Sequence, residues 1–460
     1  MTRSFFSLTL LLAFAFALEP ARAESDSEGS QDAVLAAMES ELARAWAELS
    51  AQGDDAPYFI GLQVIESNYI GVAGEEGELQ GYRPSRVRWV HADVRVGDAR
   101  LDSTHPLRES GEGEDASGGH ELGLGSDPEV LGREIWREID ATYRAAVDRW
   151  QRVLSDKQVL VDEEQSWDLA PVKAEQGLHP RTDLSDVDVE AWEQAARRAS
   201  AVFAESRITL DPGVSLVGEA ETRWFVSTEG HRVREGLRRF RAAVSADTLD
   251  SDGTALSLHD AWDTASPEGL PSPEELEVRA RELEAQLVLL AAASEQGPYR
   301  GPAVLSGKSS AVFFHEIFGH RVEGHRLKQV EDAQTFRNQV GQSILPSFLS
   351  VYDDPTLSRI GEQDLRGFYR FDDQGVRAER VQLVKDGVLE GFLESRSPVA
   401  DRGKSNAHGR RQMGNSAVSR QGNLIVEASR QVPDEELRRL LIKAARSEGL
   451  EYGLLIDDIG

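Results

Sequence analysis

Phe313-Phe314-His315-Glu316-Ile317-Phe318-Gly319-His320-Arg321-Val322-Glu323-Gly324-His325 is the stretch on which the reading of this chain turns. Three of the chain's ten histidines fall inside it. A His-Glu-x-x-x-His pattern is expected by chance only roughly 0.02 times in a chain of this composition. Two imidazoles suit a borderline-soft metal ion, and a carboxylate beside the first can take a proton from water that the ion polarises. The layout is that of a zinc hydrolase, with His315 and His320 as metal ligands and Glu316 as general base. Glu323 and His325 are candidates either for a third ligand or for a group that orients a metal-bound imidazole. Equally, both could lie on the solvated face of a helix. The competing account of the whole stretch is a helix whose histidines serve unrelated purposes.

The spacing imposes a condition. Ligands at i and i+4 lie about 40° apart around a helix, but His315 and His320 are at i and i+5, about 140° apart on a regular helix. They can share an ion only if one residue is absorbed by a bulge or a break. Gly319 is where the backbone distorts most easily. The sequence therefore predicts a helix from Ser309 to about Gln329 that is irregular between Glu316 and His320.

Outward from the motif, Gly297-Pro298-Tyr299-Arg300-Gly301-Pro302 punctuates the chain and marks an expected domain boundary. Gly301 to Ser309 only superficially resembles a phosphate loop, since five residues rather than four precede Gly307-Lys308-Ser309, one of them Pro302. Val376–Val384 and Val388–Leu393, joined by Lys385-Asp386-Gly387, read as a hairpin because Asp-Gly favours a type I′ turn. The pairs Asp353-Asp354 and Asp372-Asp373 precede turn residues and are explained by turn chemistry. Gly409-Arg410-Arg411 could clamp a substrate carboxylate, although two arginines in a polar loop are more often simply solvated. Leu424–Val426 reads as a strand and Pro433 opens a last helix. The final residues, Leu454 to Gly460, read as an unpaired strand entering a glycine turn, as though the chain were truncated there.

On the N-terminal side, Gln31–Gln52 has helical spacing. Tyr58–Ile65, Tyr69–Ala73 and Arg86–Val96 read as short strands joined by polar turns, and Thr222–Val226 with Val233 onward as a hairpin. Helices are expected from Pro128 to Ser155, from Val187 to Glu205, and from Ser272, which has N-cap chemistry with Pro273 at the first position. The fold class is α+β: an N-terminal α/β domain over 24–296, followed by a β-rich C-terminal domain over 297–460 that carries the His-Glu motif and looks incomplete.

The chain has 51 basic and 80 acidic side chains, leaving a net charge of −29. Such a surface repels a phosphate backbone, so nucleic acid is not an expected partner. With no cysteine, disulfides, thiolate ligands and a cysteine nucleophile are excluded within this chain. Arg3, the apolar run Phe5–Leu18 and Ala21-Arg22-Ala23 form a secretory signal peptide pattern, cut before Glu24. The run is too short to span a bilayer, which takes about 20 apolar residues. Residues 1–23 are thus expected to be removed, and the protein to be exported, periplasmic or secreted, with no membrane span.

Several segments together resemble the TldD/PmbA metallopeptidase family. They are Gly301-Pro302-Ala303-Val304-Leu305, the His315–His320 block with Glu323-Gly324, Asp353-Asp354-Pro355-Thr356-Leu357, Phe371 to Val376, Asp386 to Gly391, and Gly409-Arg410-Arg411 leading to Asn423. The likeness is dense from about Gly301 onward and faint before it. It implies a zinc-dependent peptidase acting on unstructured peptides, in which a catalytic subunit pairs with a related subunit to form a homo- or hetero-oligomer. Carried over, His315 and His320 bind Zn2+ and Glu316 is the general base. Sites of this family can complete the coordination with a cysteine near the C-terminus. Here Glu323, His325, His408, a partner or further chain would have to serve. The alternative within the same family is a non-catalytic pairing or binding subunit.

Overall fold

The computed structural model describes residues 32–107, 118–157, 167–294, 297–328, 335–399 and 403–459, so the leader expected over 1–23 lies outside the described residues. The α+β class is observed. An eight-stranded sheet comprises β1 (Pro57–Glu75), β2 (Glu78–Tyr82), β3 (Ser85–Val96), β4 (His120–Glu121), β5 (Gln176–Leu178), β6 (Leu210–Ser227), β7 (Arg232–Leu249) and β8 (Ala255–Thr264). Its order is β4-β3-β1-β6-β7-β5, with β2 added to β1 and β8 to β7. Every pairing is antiparallel except β5 with β7.

The strands are longer than the sequence suggests. The two short strands expected over Tyr58–Ala73 are one strand, β1, that passes straight through Glu66-Ser67-Asn68. Polar residues there imitate a turn, but Glu66 is buried within the sheet and neutralised by Arg88 at 2.5 Å, Arg86 at 2.8 Å and Arg181 at 3.1 Å. A paired and hydrogen-bonded charge can be buried where a lone one cannot.

Residues alternate across the pleat, and one face is apolar. Ile60, Leu62, Val64 and Trp224 meet α1 (Ala33–Leu49) and α2 (Pro128–Lys157) in one core. Val72, Leu216, Phe240 and Val244 meet α3 (Val189–Ser200) and α4 (Pro273–Ala291) in a second. The start of α4 carries the expected cap: the Ser272 hydroxyl accepts from Glu275 N–H, and Glu275 returns a bond to Ser272 N–H.

The C-terminal segment covers the other face. Its core is a four-stranded sheet in the order Val388–Leu389, Val381–Lys385, Leu349–Asp353, Leu424–Ala428. The hairpin turn has φ of 49° at Asp386 and 82° at Gly387, as a type I′ turn demands. Two buried charges lock this segment to the large sheet. Asp373 accepts from Gln63 Nε2 (2.9 Å) and an Arg223 NH (3.0 Å). Arg396, 1% exposed, holds Glu229 through both terminal nitrogens (2.7 and 2.8 Å) and donates from Nε to the Ala170 carbonyl. The terminal strand expected to be unpaired is not bare: Leu454–Ile456 pairs in parallel with Ala303–Leu305, beside α6 (Asp434–Ser447), because this pairing satisfies the backbone groups the sequence leaves open.

His231, at the hairpin between β6 and β7, is 2% exposed beside this lock. Burial first, and then the Arg396 charge, pushes its imidazole down to about 4 from 6.5. Between those values the unfolded chain takes up a proton that the folded chain refuses, so stability falls as pH drops from 6.5 towards 4. One such group contributes a slope of up to about 1.4 kcal/mol per pH unit. His231→Gln is expected to flatten the pH dependence of the urea midpoint in this window; an unchanged slope would contradict the assignment.

Candidate metal centre

The helix carrying the motif, α5 (Gly307–Ile317), begins with the Ser306 hydroxyl accepting from Ser309 N–H and stops where the spacing requires it to. Phe318 leaves the helical region, at φ −121° and ψ −53°, and two short 3₁₀ turns, Gly319–Val322 and Gly324–Lys328, replace the single helix expected as far as Gln329. The cause is packing. Phe318, Val322 and Leu327 are buried in the core of the C-terminal sheet with Val351, Leu383 and Leu393. Phe313 and Ile317, by contrast, stay 39% exposed. A continuous helix could not turn those three side chains to the core while keeping His315 outside.

The break brings the two imidazoles together, with ring centroids 4.5 Å apart. Ligand atoms of His315, Glu316 and His320 all lie within 4.8 Å of one another, the only such group among the described residues. His315 Nε2 is 3.8 Å from Glu316 and His320 Nε2 is 4.0 Å from it. Two imidazoles and a carboxylate aimed at one point fit a divalent ion of the zinc class after a small closure, given Zn–N distances of about 2.0–2.1 Å.

Glu323 lies behind His320, not beside the ion's position. Its carboxylate is 1% exposed and sits 3.2 Å from His320 Nδ1, leaving Nε2 directed into the cluster. Burial would raise its pKa, but the Arg326 hydrogen bond, the Arg420 charge and His320 outweigh burial and hold it below the usual carboxylate range. An ionised carboxylate on the far nitrogen fixes the ring and raises its basicity. Of the other candidates, neither His325 nor His408 joins the cluster among the described residues. His325 lines a separate cavity. His408 is fully buried and occupied on both nitrogens, by Asp353 (3.1 Å) and the Asn406 carbonyl (2.7 Å).

Residues 298–459 match the PmbA/TldA metallopeptidase C-terminal domain. Over that region the chain is of the TldD/PmbA kind. It is 33% identical over 134 residues to a metalloprotease of Archaeoglobus fulgidus, covering 29% of this chain and 30% of that protein. It is 26% identical over 212 residues to a metalloprotease of Methanothermobacter thermautotrophicus, covering 46% and 44%. The chain thus spans less than half the length of these curated relatives. Among solved structures it is similar to a Thermotoga maritima protein (TM-score 0.59, 16% identity, 88% of this chain and 81% of that one). It is also similar to TldE from Thermococcus kodakarensis (TM-score 0.57, 14% identity, 87% and 80%).

The TldD/PmbA likeness included the aspartate pairs, and the structure shows two kinds of work in them. Asp354 closes a local turn to Thr356 N–H, and Asp372 closes one to the N–H groups of Gln374 and Val376 while its other oxygen accepts from the distant Gly409 N–H at 3.0 Å. Asp353 and Asp373 instead tie distant segments together: Asp353 accepts from His408 and from Gly422 and Asn423 N–H, and Asp373 reaches the large sheet. Turn chemistry accounts for the local bonds only, because the others depend on residues far away in sequence.

Gly319 is also reassigned. The distortion lies at Phe318, and the glycine is needed because a Cβ there would run into the Gln421 amide, which donates to Glu323. At Gly324 a Cβ would lie 2.7 Å from the Leu393 carbonyl and 2.5 Å from Glu394, and the Leu393 backbone holds the turn from both sides. Gly324→Ala should therefore displace Glu323 from His320, and Glu323→Gln should remove its charge. Both are expected to weaken divalent-metal binding about 10–100-fold with the fold intact by circular dichroism. Parental affinity in both variants, measured by competition with a chromophoric chelator, would contradict the positioning role.

Proposed function

We propose that this chain is a zinc-dependent peptidase that hydrolyses unstructured peptides. The observation that carries the proposal is the break at Phe318, which brings His315 and His320 to one point with Glu316 between them. His315 and Glu316 are at least half exposed, while His320, 28% exposed, is held from behind by Glu323. The relatives named metalloproteases support the same reading.

His315 and His320 would hold the ion, which when bound supplies Lewis acidity at a scissile carbonyl. Glu316, 62% exposed and within 4.0 Å of both imidazoles, accepts a proton from the attacking water and returns it to the leaving amine. Glu323 keeps His320 in the tautomer that carries its proton on Nδ1, leaving Nε2 as the donor atom. Catalytic zinc takes three protein ligands as a rule. A related subunit is proposed to complete the site, which makes the working form an oligomer. The division at residue 297 and export by the leader over 1–23, to the periplasm or beyond, belong to the same proposal. Among the described residues no helix is long and apolar enough to cross a membrane.

The test is cleavage of a fluorogenic unstructured peptide by the purified chain, alone and with a related subunit, alongside elemental analysis. Zinc is expected, with chelator-sensitive cleavage. His315→Ala should lose the metal. Glu316→Gln should keep it and lose about 10²–10⁴-fold in rate, since it removes the base and not a ligand. Cleavage that survives Glu316→Gln would refute the mechanism. Metal bound without cleavage under any pairing would favour the non-catalytic pairing subunit.

A further inference from the structure

The surface of this chain is strongly acidic, yet one interior space has the opposite sign. A cavity of about 210 Å³ opens at the sheet edge, between β3, α2 and the turn Gly324–Lys328. Four cationic side chains line it, Arg95, Arg149, Lys328 and Arg411, against two carboxylates, Asp93 and Asp168. Arg95 is matched by Asp93 (2.9 Å) and by Asp102 (3.1 Å). Asp168 is matched by His105 (3.0 Å) and by Asp102 N–H. Among the described residues Arg149 donates only to the His105 carbonyl, at 3.4 Å.

Arg411 is left over, and Lys328 feels the Asp168 and Glu394 carboxylates without an ion pair to either among the described residues. The Arg411 guanidinium makes no hydrogen bond or ion pair among the described residues; only its backbone N–H is used, by Asp373. Its Nε and one terminal nitrogen are buried without a partner, and so are Arg149 Nε and the Nδ1 atoms of His91 and His325, which line the same cavity. Desolvation alone pulls Arg411 down to about 9, and burial lowers Lys328 as well. Withdrawing cations from water without an acceptor costs stability. Such groups persist where a ligand supplies the missing charge.

We propose that this cavity binds a carboxylate, held by Arg411 and Lys328, with Val94, Ala146 and Val418 receiving a small apolar substituent. The flanking carboxylates of Asp93 and Asp168 favour a monoanion over a dianionic phosphate. The volume holds a single small residue and is below that of a drug-sized pocket, about 300–1,000 Å³. Two sources share this chemistry: the C-terminus of a peptide ending in a small apolar residue, and a free short carboxylic acid. The first rests on the peptidase reading above; carboxylate binding itself does not.

The test is calorimetric titration of the full chain carrying Glu316→Gln, so that turnover contributes no heat. The probes are isobutyrate, Gly-Gly-Ala as free acid, Gly-Gly-Ala amide and inorganic phosphate. Carboxylate binding is expected with no response to the amide and a weaker one to phosphate. Tighter binding of the tripeptide acid supports the peptide terminus, and tighter binding of isobutyrate the free acid. Arg411→Gln and Lys328→Met should each weaken binding at least about tenfold. In carboxylate-free buffer Arg411→Gln should melt no lower than the parent, because it removes a cation that has no partner, so loss of binding there cannot be loss of fold. Failure of both carboxylates to bind, phosphate binding tighter than either, or parental affinity in both variants would overturn the site. Failure of the cleavage assay with carboxylate binding intact would overturn the peptidase reading and leave this site standing.

Discussion

Phe318 must be buried while His315, three residues earlier, must not be, and the metal centre depends on that requirement. A regular α-helix advances 100° per residue, so it cannot carry Phe318, Val322 and Leu327 into the core of the C-terminal sheet and still hold two imidazoles five residues apart towards one point. Ending α5 at Ile317 and continuing in 3₁₀ turns satisfies both demands. The apolar packing that forces the break is the same packing that secures the turn on which His320 and Glu323 sit.

That turn is braced from behind by charge. Glu323 is surrounded by Arg326, Arg420, Gln421 and His320 and lies at the centre of a small buried polar network. Networks of this kind are stable only when every member is satisfied, and here the acceptor oxygens are fully used. Gly319 and Gly324 permit it by close approach, with the Gln421 amide over one and the Leu393 carbonyl over the other. The C-terminal segment as a whole is set against the large sheet in the same manner, through Asp373 and Arg396, each buried and each matched across the junction.

The cavity beside this junction departs from that rule. Where Asp373 and Arg396 have partners, the Arg411 guanidinium has none among the described residues, although Asp373 accepts from its backbone N–H. With four cationic side chains against two carboxylates in its lining, this space has a local electrostatic preference opposite to that of the acidic surface.

Much of the architecture could be read from the residues themselves. The helices opening at Pro128 and Ser272, the Asp386-Gly387 hairpin and the need for a break between Glu316 and His320 all follow from local rules of capping, turn geometry and helical pitch, because each depends on neighbours within a few positions. What the sequence could not convey were the matters settled by distant partners. Glu66 reads as a turn residue until Arg86, Arg88 and Arg181 gather round it in the sheet. Glu323 and His325 are indistinguishable as candidates until folding places one behind His320 and the other in a separate cavity. Leu454–Ile456 looks bare until Ala303–Leu305, some 150 residues earlier in the chain, pairs with it. Burial, ion pairing and strand partnership are properties of the whole chain, and only the tertiary structure decides them.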